Sequence, residues 1–425
     1  MNQRKLRVGA IAAAAITIAA LACTKDSVDI LEPTPAANPI FQRYVALGNS
    51  ITAGYQSGGI NDSTQKQSYA RLLAGQMHTS YVYPALVDPG CAPPINNFQT
   101  QTRVGNGSTS TTCNLRDPST TLRAQNNVAV PGATSFDPTA TSTGASNVLT
   151  QLFLGGKTQV QRALDADPTF VTVWIGNNDV LDAAAKGVTV YQNAKDASST
   201  AIRSALSTQG ITDTITFVAN YKKMIDQLTA AEPNLKGVLI GVVNVTQIPF
   251  IFSIDSLIGE PATKAYFDAA VGHTTTITPD CAGSGALVTL GMIQFLKANP
   301  TAPLACTKGA VPTAPAVGDF FILDVADQAL FNKVITRYNG YIKAKADSIG
   351  FAYLDPNPLL GSLKGVPGGI PLVPVLSSPT ATFGPYISLD GIHPSATAHA
   401  AIANALVAVI NAKYQTSLAP ITAAP

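Results

Sequence analysis

The chemistry of this chain starts at a serine. In Tyr44-Val45-Ala46-Leu47-Gly48-Asn49-Ser50 an apolar, strand-like run stops at a glycine and delivers Ser50 at the edge where open parallel sheets bind ligands. A serine hydroxyl is a poor nucleophile until a neighbouring base accepts its proton, so a histidine must be brought to it. There are four histidines. His78 falls at the end of an expected helix, His273 in an expected insertion, and His399 in a C-terminal helix where a core or surface role fits. His393 alone has an aspartate at a spacing of three, in Asp390-Gly391-Ile392-His393-Pro394. That short loop lets the Asp390 carboxylate hold one imidazole nitrogen while the other faces the serine. A D-x-x-H pattern by itself is weak, because it arises often by chance.

Acyl transfer to a serine also needs donors for the charge that develops on the carbonyl oxygen. The segment Trp174-Ile175-Gly176-Asn177-Asn178-Asp179 offers side-chain amides for this at the end of an expected strand.

Taken together and in this order, the segments resemble the SGNH hydrolases, also called GDSL esterases and lipases. Gly48-Asn49-Ser50 corresponds to the family's G-D-S, Gly132 to its second-block glycine, Gly176-Asn177-Asn178-Asp179 to its G-x-N-D, and Asp390 through Pro394 to its D-x-x-H-P. The resemblance spans most of residues 41 to 413. It implies Ser50 as nucleophile, His393 as base and Asp390 as its orienting acid. The backbone N–H groups of Ser50 and Gly132 and the side-chain amide of Asn178 would form the oxyanion hole, with no metal or organic cofactor. Gly132 then has a reason to be glycine, since a backbone that close to a substrate oxygen leaves no room for a side chain. Read alone, Pro131-Gly132 is equally an ordinary turn, and the alternative for Asn178 is a strand-ending cap. Asn49 departs from the pattern: isosteric with the usual aspartate but uncharged, it preserves hydrogen bonds while altering the electrostatics.

Other motifs fail. Gly156-Lys157-Thr158 lacks the earlier glycine of a phosphate loop, and Ser63-Thr64-Gln65-Lys66 lacks the partner motifs of penicillin-recognising enzymes. No serine sits in G-x-S-x-G, and there is neither H-E-x-x-H nor a calcium loop.

The elements that must position these residues follow an α/β pattern of short β-branched runs between helical stretches. Strands are expected at Tyr44–Leu47, Thr169–Ile175, Gly237–Val245 and Gly350–Leu354, with a weaker one at Tyr81–Val87. The second and third are nearly continuous apolar runs, as in parallel strands covered on both faces. Helices are expected at Tyr69–Met77, Thr212–Ala231, Gln328–Asp347 and Ala396–Lys413. Phe331, Ile335, Tyr338 and Ile342 recur at three to four residues and mark a core-facing stripe. The fold class is therefore a three-layer α/β/α sandwich with a parallel, flavodoxin-like sheet, over residues 41–415.

Two segments exceed that minimum. Residues 96–146, rich in Ser, Thr, Asn and Gly, read as long surface loops. Residues 246–319 read as an insertion leaving the carboxyl end of a strand. It begins with the apolar Ile248-Pro249-Phe250-Ile251-Phe252, which suits either the wall of an acyl groove or core packing at the sheet edge.

Residues 1–22 read as a secretion signal: Arg4, Lys5 and Arg7 precede an apolar run, Val8 to Ala22, shorter than the roughly 20 residues a membrane helix needs. Cys23 after Ala20-Leu21-Ala22 resembles the lipidation site of bacterial lipoproteins, the alternative being plain cleavage. Lipidation would make residues 23–40 a tether to a membrane and the protein an exported periplasmic or outer-membrane lipoprotein. With Cys23 set aside, Cys91, Cys113, Cys281 and Cys306 remain from a total of five. Sequence proximity pairs Cys91 with Cys113 and Cys281 with Cys306 in an exported protein; the alternative is free buried thiols. Without the signal, 24 of the 27 basic side chains remain against 25 acidic ones, so no basic stripe recommends nucleic acid as a partner. The partner expected is an ester, as acyl lipid, short-chain ester or acetylated carbohydrate. A binding lipoprotein without catalysis is the alternative from another class.

Overall fold

The computed structural model describes residues 38–105, 124–140, 149–187, 210–307 and 321–422. The signal, Cys23, Cys113 and most of the tether lie outside the described residues. Four parallel strands form the central sheet: β1 (Tyr44–Gly48), β2 (Phe170–Trp174), β3 (Lys236–Ile240) and β4 (Ala352–Leu354), in the spatial order β1-β2-β3-β4. The register sets Gly48 beside Trp174 and Leu239 beside Tyr353. Both loops that follow β1 and β2 therefore emerge at one carboxyl edge.

Alternation along the strands explains the two apolar faces. Val45, Leu47, Val171, Val173 and Leu239 point into one core, packed by Phe217, Tyr221, Phe331 and Tyr338 from the helices Thr214–Ala231 and Val325–Ile349. Tyr44, Ala46, Phe170, Trp174, Val238 and Ile240 point into the other, covered by Tyr69, Leu73, Leu406 and Ile410 from Tyr69–Gln76 and Ala396–Tyr414. Each such fully buried side chain contributes about 1.5–3 kcal/mol of hydrophobic stabilisation. The 25-residue helix starts at a reciprocal cap between Asp324 and Asp327, and its Tyr338 ring stacks on Phe217 at 3.7 Å. Its expected stripe of Phe331, Ile335, Tyr338 and Ile342 is buried.

Two expectations need correction. Tyr81–Val87 is not a continuous strand; Pro84 interrupts it, leaving an isolated bridge at Leu86 and a Val82 carbonyl that accepts the N–H groups of Asn126 and Asn127. The loop reading of residues 96–146 misses Asn126–Val130, which runs parallel to β1 through Ala46 N–H to Asn126 O, Val128 N–H to Ala46 O and Val130 N–H to Gly48 O. Val128, Ala129 and Val130 are buried against the sheet. Counting this segment, the chain order across the sheet is 2-1-3-4-5, that of the flavodoxin-like doubly wound fold.

The insertion carries its own antiparallel sheet, with Ile251–Ser253 and Ile322–Leu323 flanking Leu287–Thr289. Helices Ile254–Gly259, Pro261–Val271 and Gly291–Ala298 enclose a separate core around Phe252, Phe267, Met292 and Leu296. Cys281 and Cys306 are joined there by a disulfide. Cys91 is also disulfide-bonded. Among the described residues no helix is long and apolar enough to cross a membrane.

Candidate active site

Ser50 is the first residue of a short helix, Ser50–Ala53, that starts where β1 ends. Asn49 caps it, its side-chain oxygen accepting the N–H of Ile51 at 3.2 Å. An aspartate would accept the same bond, so the amide keeps the local turn; it removes the charge and leaves its buried Nδ2 without a hydrogen-bond partner among the described residues. Gly48 is required by crowding: a Cβ there would stand 2.7 Å from the Trp174 carbonyl oxygen and 2.3 Å from Thr52 Oγ1.

Across the edge, His393 Nε2 lies 2.8 Å from Ser50 Oγ, and His393 Nδ1 lies 2.8 Å from Asp390 Oδ2. The loop bearing both is tied to the segment after the serine helix. Gly58 N–H donates to Asp390 Oδ2 at 2.7 Å, Ser57 N–H to Ser388 Oγ at 2.8 Å, and Leu389 N–H to Ser57 Oγ at 3.1 Å. Asp390 Oδ1 accepts from the N–H groups of Ile392 and His393. Burial alone would raise this carboxyl. The charge of His393 and the hydrogen bonds from His393 and Gly58 outweigh burial and hold it at about 2, so the carboxylate stays ionised and orients the ring. Tyr55 packs its ring 4.9 Å from that of His393.

Gly132 follows the edge segment on β1 with φ of 81°, a left-handed conformation open to glycine at little cost. Asn178 begins the helix Asn178–Lys186 after β2; one of its amide hydrogens is committed to the Ala133 carbonyl oxygen at 2.9 Å. Among the described residues the N–H groups of Ser50 and Gly132 take no protein acceptor. Asn177 instead turns inward, accepting the Val243 N–H.

The other histidines lie elsewhere. His78 is exposed beyond its helix, His273 bonds backbone carbonyls within the insertion, and His399 is fully buried, accepting the Tyr69 N–H through Nδ1. Sequence reasoning did not assign roles to Ser57, Gly58, Ser388 or Ser135, which are small residues in loops. Asp179 stood in the quoted motif without a role.

Two clefts flank the site. One lies between the loops after β1, β2 and β3 and the helices Asn357–Leu363 and Ala396–Tyr414. Its walls are almost wholly aliphatic, among them Ile51, Leu181, Ile248, Leu360 and Ile392. The other is lined by Phe250, Leu389 and Asp390 with Tyr266, Gln294 and Lys297 of the insertion. The apolar segment 248–252 is thus divided: Ile248 faces the aliphatic cleft and Phe250 the mixed groove, while Ile251 and Phe252 are core.

A serine, a histidine and a partly buried carboxylate in this relay, at the carboxyl edge of a flavodoxin-like sheet, define the serine ester hydrolases of this fold. Residues 44–406 match the model of the GDSL-like lipase/acylhydrolase family. The chain belongs to that family and is a carboxylic ester hydrolase. Among solved structures it is similar to an extracellular lipase from Streptomyces rimosus, at 15% identity and a TM-score of 0.33, over 86% of this chain and 98% of that one. No curated protein matches the chain.

Proposed function

We propose that the protein cleaves acyl esters through an acyl-enzyme at Ser50, with the aliphatic cleft receiving the acyl chain. His393 Nε2 takes the Ser50 proton as Oγ attacks the ester carbonyl. The N–H groups of Ser50 and Gly132 and the free amide hydrogen of Asn178 receive the oxyanion. The tetrahedral intermediate then collapses, His393 returning its proton to the departing alkoxide. Water, deprotonated by the same imidazole, releases the carboxylic acid and restores Ser50.

The observation that carries this reading is the continuous Ser50–His393–Asp390 relay with 2.8 Å at each link. It also favours an enzyme over a binding protein of the same fold. A second reading, O-deacetylation of carbohydrate, is favoured by the mixed groove, where Tyr266, Gln294 and Lys297 suit a hydroxylated alcohol. Residence as an exported lipoprotein anchored through Cys23 rests on the leader sequence alone.

A fluorophosphonate probe should label Ser50, and Ser50→Ala should lose both labelling and ester hydrolysis while keeping its circular dichroism. Labelling at another serine, or full activity in the alanine variant, rejects the assignment. Hydrolysis of acetylated xylan in preference to every longer nitrophenyl ester would select the second reading.

A further inference from the structure

We infer that Asp179 is a positioning residue for the oxyanion hole, clamping the loop that carries Gly132 against Asn178. The inference rests on the reading of Ser50 and the oxyanion hole above. Asp179 is fully buried at the start of the helix Asn178–Lys186. Its Oδ2 accepts the Ser135 backbone N–H at 2.7 Å, and its Oδ1 the Ser135 hydroxyl at 2.6 Å. The neighbouring Asn178 donates to the Ala133 carbonyl oxygen at 2.9 Å. Two consecutive residues at the end of β2 therefore grip Ala133 and Ser135, the positions just after Gly132.

The rest of the surroundings makes the grip firm. Asn220 donates to Ser135 Oγ at 3.3 Å from the facing helix, the Asp179 carbonyl accepts the Thr212 N–H, and Asp137 holds Thr134 by its N–H and hydroxyl. No basic side chain forms an ion pair with Asp179 among the described residues. Burial pushes its carboxyl up to about 6, against the hydrogen bonds from Ser135 and Thr212 and with the charge of Asp137 adding to the rise. A buried carboxylate without a cation beside it is a costly group to keep. Here it binds the loop that the reaction requires to be still. An oxyanion donor acts only at the position the charged oxygen will occupy, so a small drift of Gly132 reduces its effect. Ground-state binding of the ester does not depend on that position.

The test uses the full protein with Asp179→Asn and Ser135→Ala, singly and combined, a nitrophenyl ester as substrate and octylboronic acid as a tetrahedral mimic. Asp179→Asn should lower kcat at least about tenfold, short of the loss seen when a donor is removed outright, with KM unchanged within twofold. Boronate affinity should weaken in the same proportion. Ser135→Ala keeps the backbone bond and should lose less, and the double variant should be no worse than Asp179→Asn alone. Unchanged kcat in both single variants, or a kcat loss with undiminished boronate affinity, overturns the inference. If Asp179→Asn does not fold, Ser135→Ala decides alone. A wild type that the boronate fails to inhibit counts against the Ser50 reading instead.

Discussion

His393 Nε2 and Ser50 Oγ meet at 2.8 Å although 343 positions separate them in the chain. The pair is held from both sides: Ser50 by a helix cap at Asn49, His393 by a loop whose carboxylate, Asp390, accepts from Gly58 just beyond the serine helix. Removing either end should therefore have different consequences.

His393→Ala removes the proton acceptor and should reduce kcat to near background at unchanged melting temperature. Asp390→Ala should keep a measurable fraction of turnover, because the imidazole still stands beside the serine. It should also destabilise, since it strips a buried acceptor from the N–H groups of Gly58, Ile392 and His393, each costing on the order of 1–3 kcal/mol when left unpaired. Steady-state kinetics beside thermal melting separate the two; equal melting points for both variants would contradict the clamp.

With the acyl chain in the aliphatic cleft, as proposed, activity should depend on chain length. Burying one methylene is worth about 0.8 kcal/mol, roughly fourfold in kcat/KM per carbon until the cleft is full. Ala401→Phe, placed in its wall on the helix Ala396–Tyr414, should shorten the optimum with little effect on acetyl esters. A series of nitrophenyl esters measures this. An unchanged optimum would mean that the acyl chain lies elsewhere.

Acid should destabilise the fold through His399. Burial, with a smaller contribution from the charge of His393, depresses its pKa to about 3, below the ordinary value near 6.5. Between those values the unfolded chain binds a proton that the native state excludes, so stability is full above about pH 6.5 and falls as pH drops toward 3. By pH 4.5 the loss is on the order of 2–3 kcal/mol. His399→Gln retains an acceptor for the Tyr69 N–H without a titrating ring and should flatten the slope of urea-unfolding stability against pH. An equal slope in the variant would assign the acid sensitivity to other groups.

The Cys281–Cys306 bond closes a loop at a sequence separation of 25 within the insertion. Chain-entropy arithmetic gives about 3–4 kcal/mol for such a loop. Cys281→Ser with Cys306→Ser should lose that stability locally: hydrogen exchange should accelerate in Pro261–Val271 and Gly291–Ala298 while β1 and β2 stay protected. Uniform acceleration across the central sheet would show that the insertion unfolds with the rest.

Most of the sheet was legible because its strands are buried on both faces: Val171 to Trp174 and Val238 to Ile240 carry a single polar side chain, Thr172, although the third strand stops at Ile240, short of the expected Val245. Asn126–Val130 was not, since only Val128 to Val130 are apolar and the run is closed by Pro131-Gly132, a turn signal that hid an edge strand. Tyr81–Val87 misled in the opposite direction, its β-formers outweighing Pro84. At the site, the sequence picked out Ser50, Asp390 and His393 only by several segments in combination, and the structure brings the three side chains together. The pairing of Asp179 with Ser135 spans 44 positions, and no local pattern encodes it. The fate of Phe250 and Phe252 was likewise undecided by sequence, because a groove wall and a core draw on the same residue types.

Trp174 is the sole tryptophan of the chain. It ends β2 at 1% exposure, beneath the aliphatic cleft and 5.5 Å from the ring of Tyr69. Excited beyond the absorption of the 13 tyrosines, the protein's emission therefore has a single origin. An acyl chain entering the cleft, as proposed, should change the polarity around that one indole and make the Ser50→Ala protein an optical sensor. Titrating it with intact esters should then read affinity without turnover, and the natural acyl group can be sought before any product is detected.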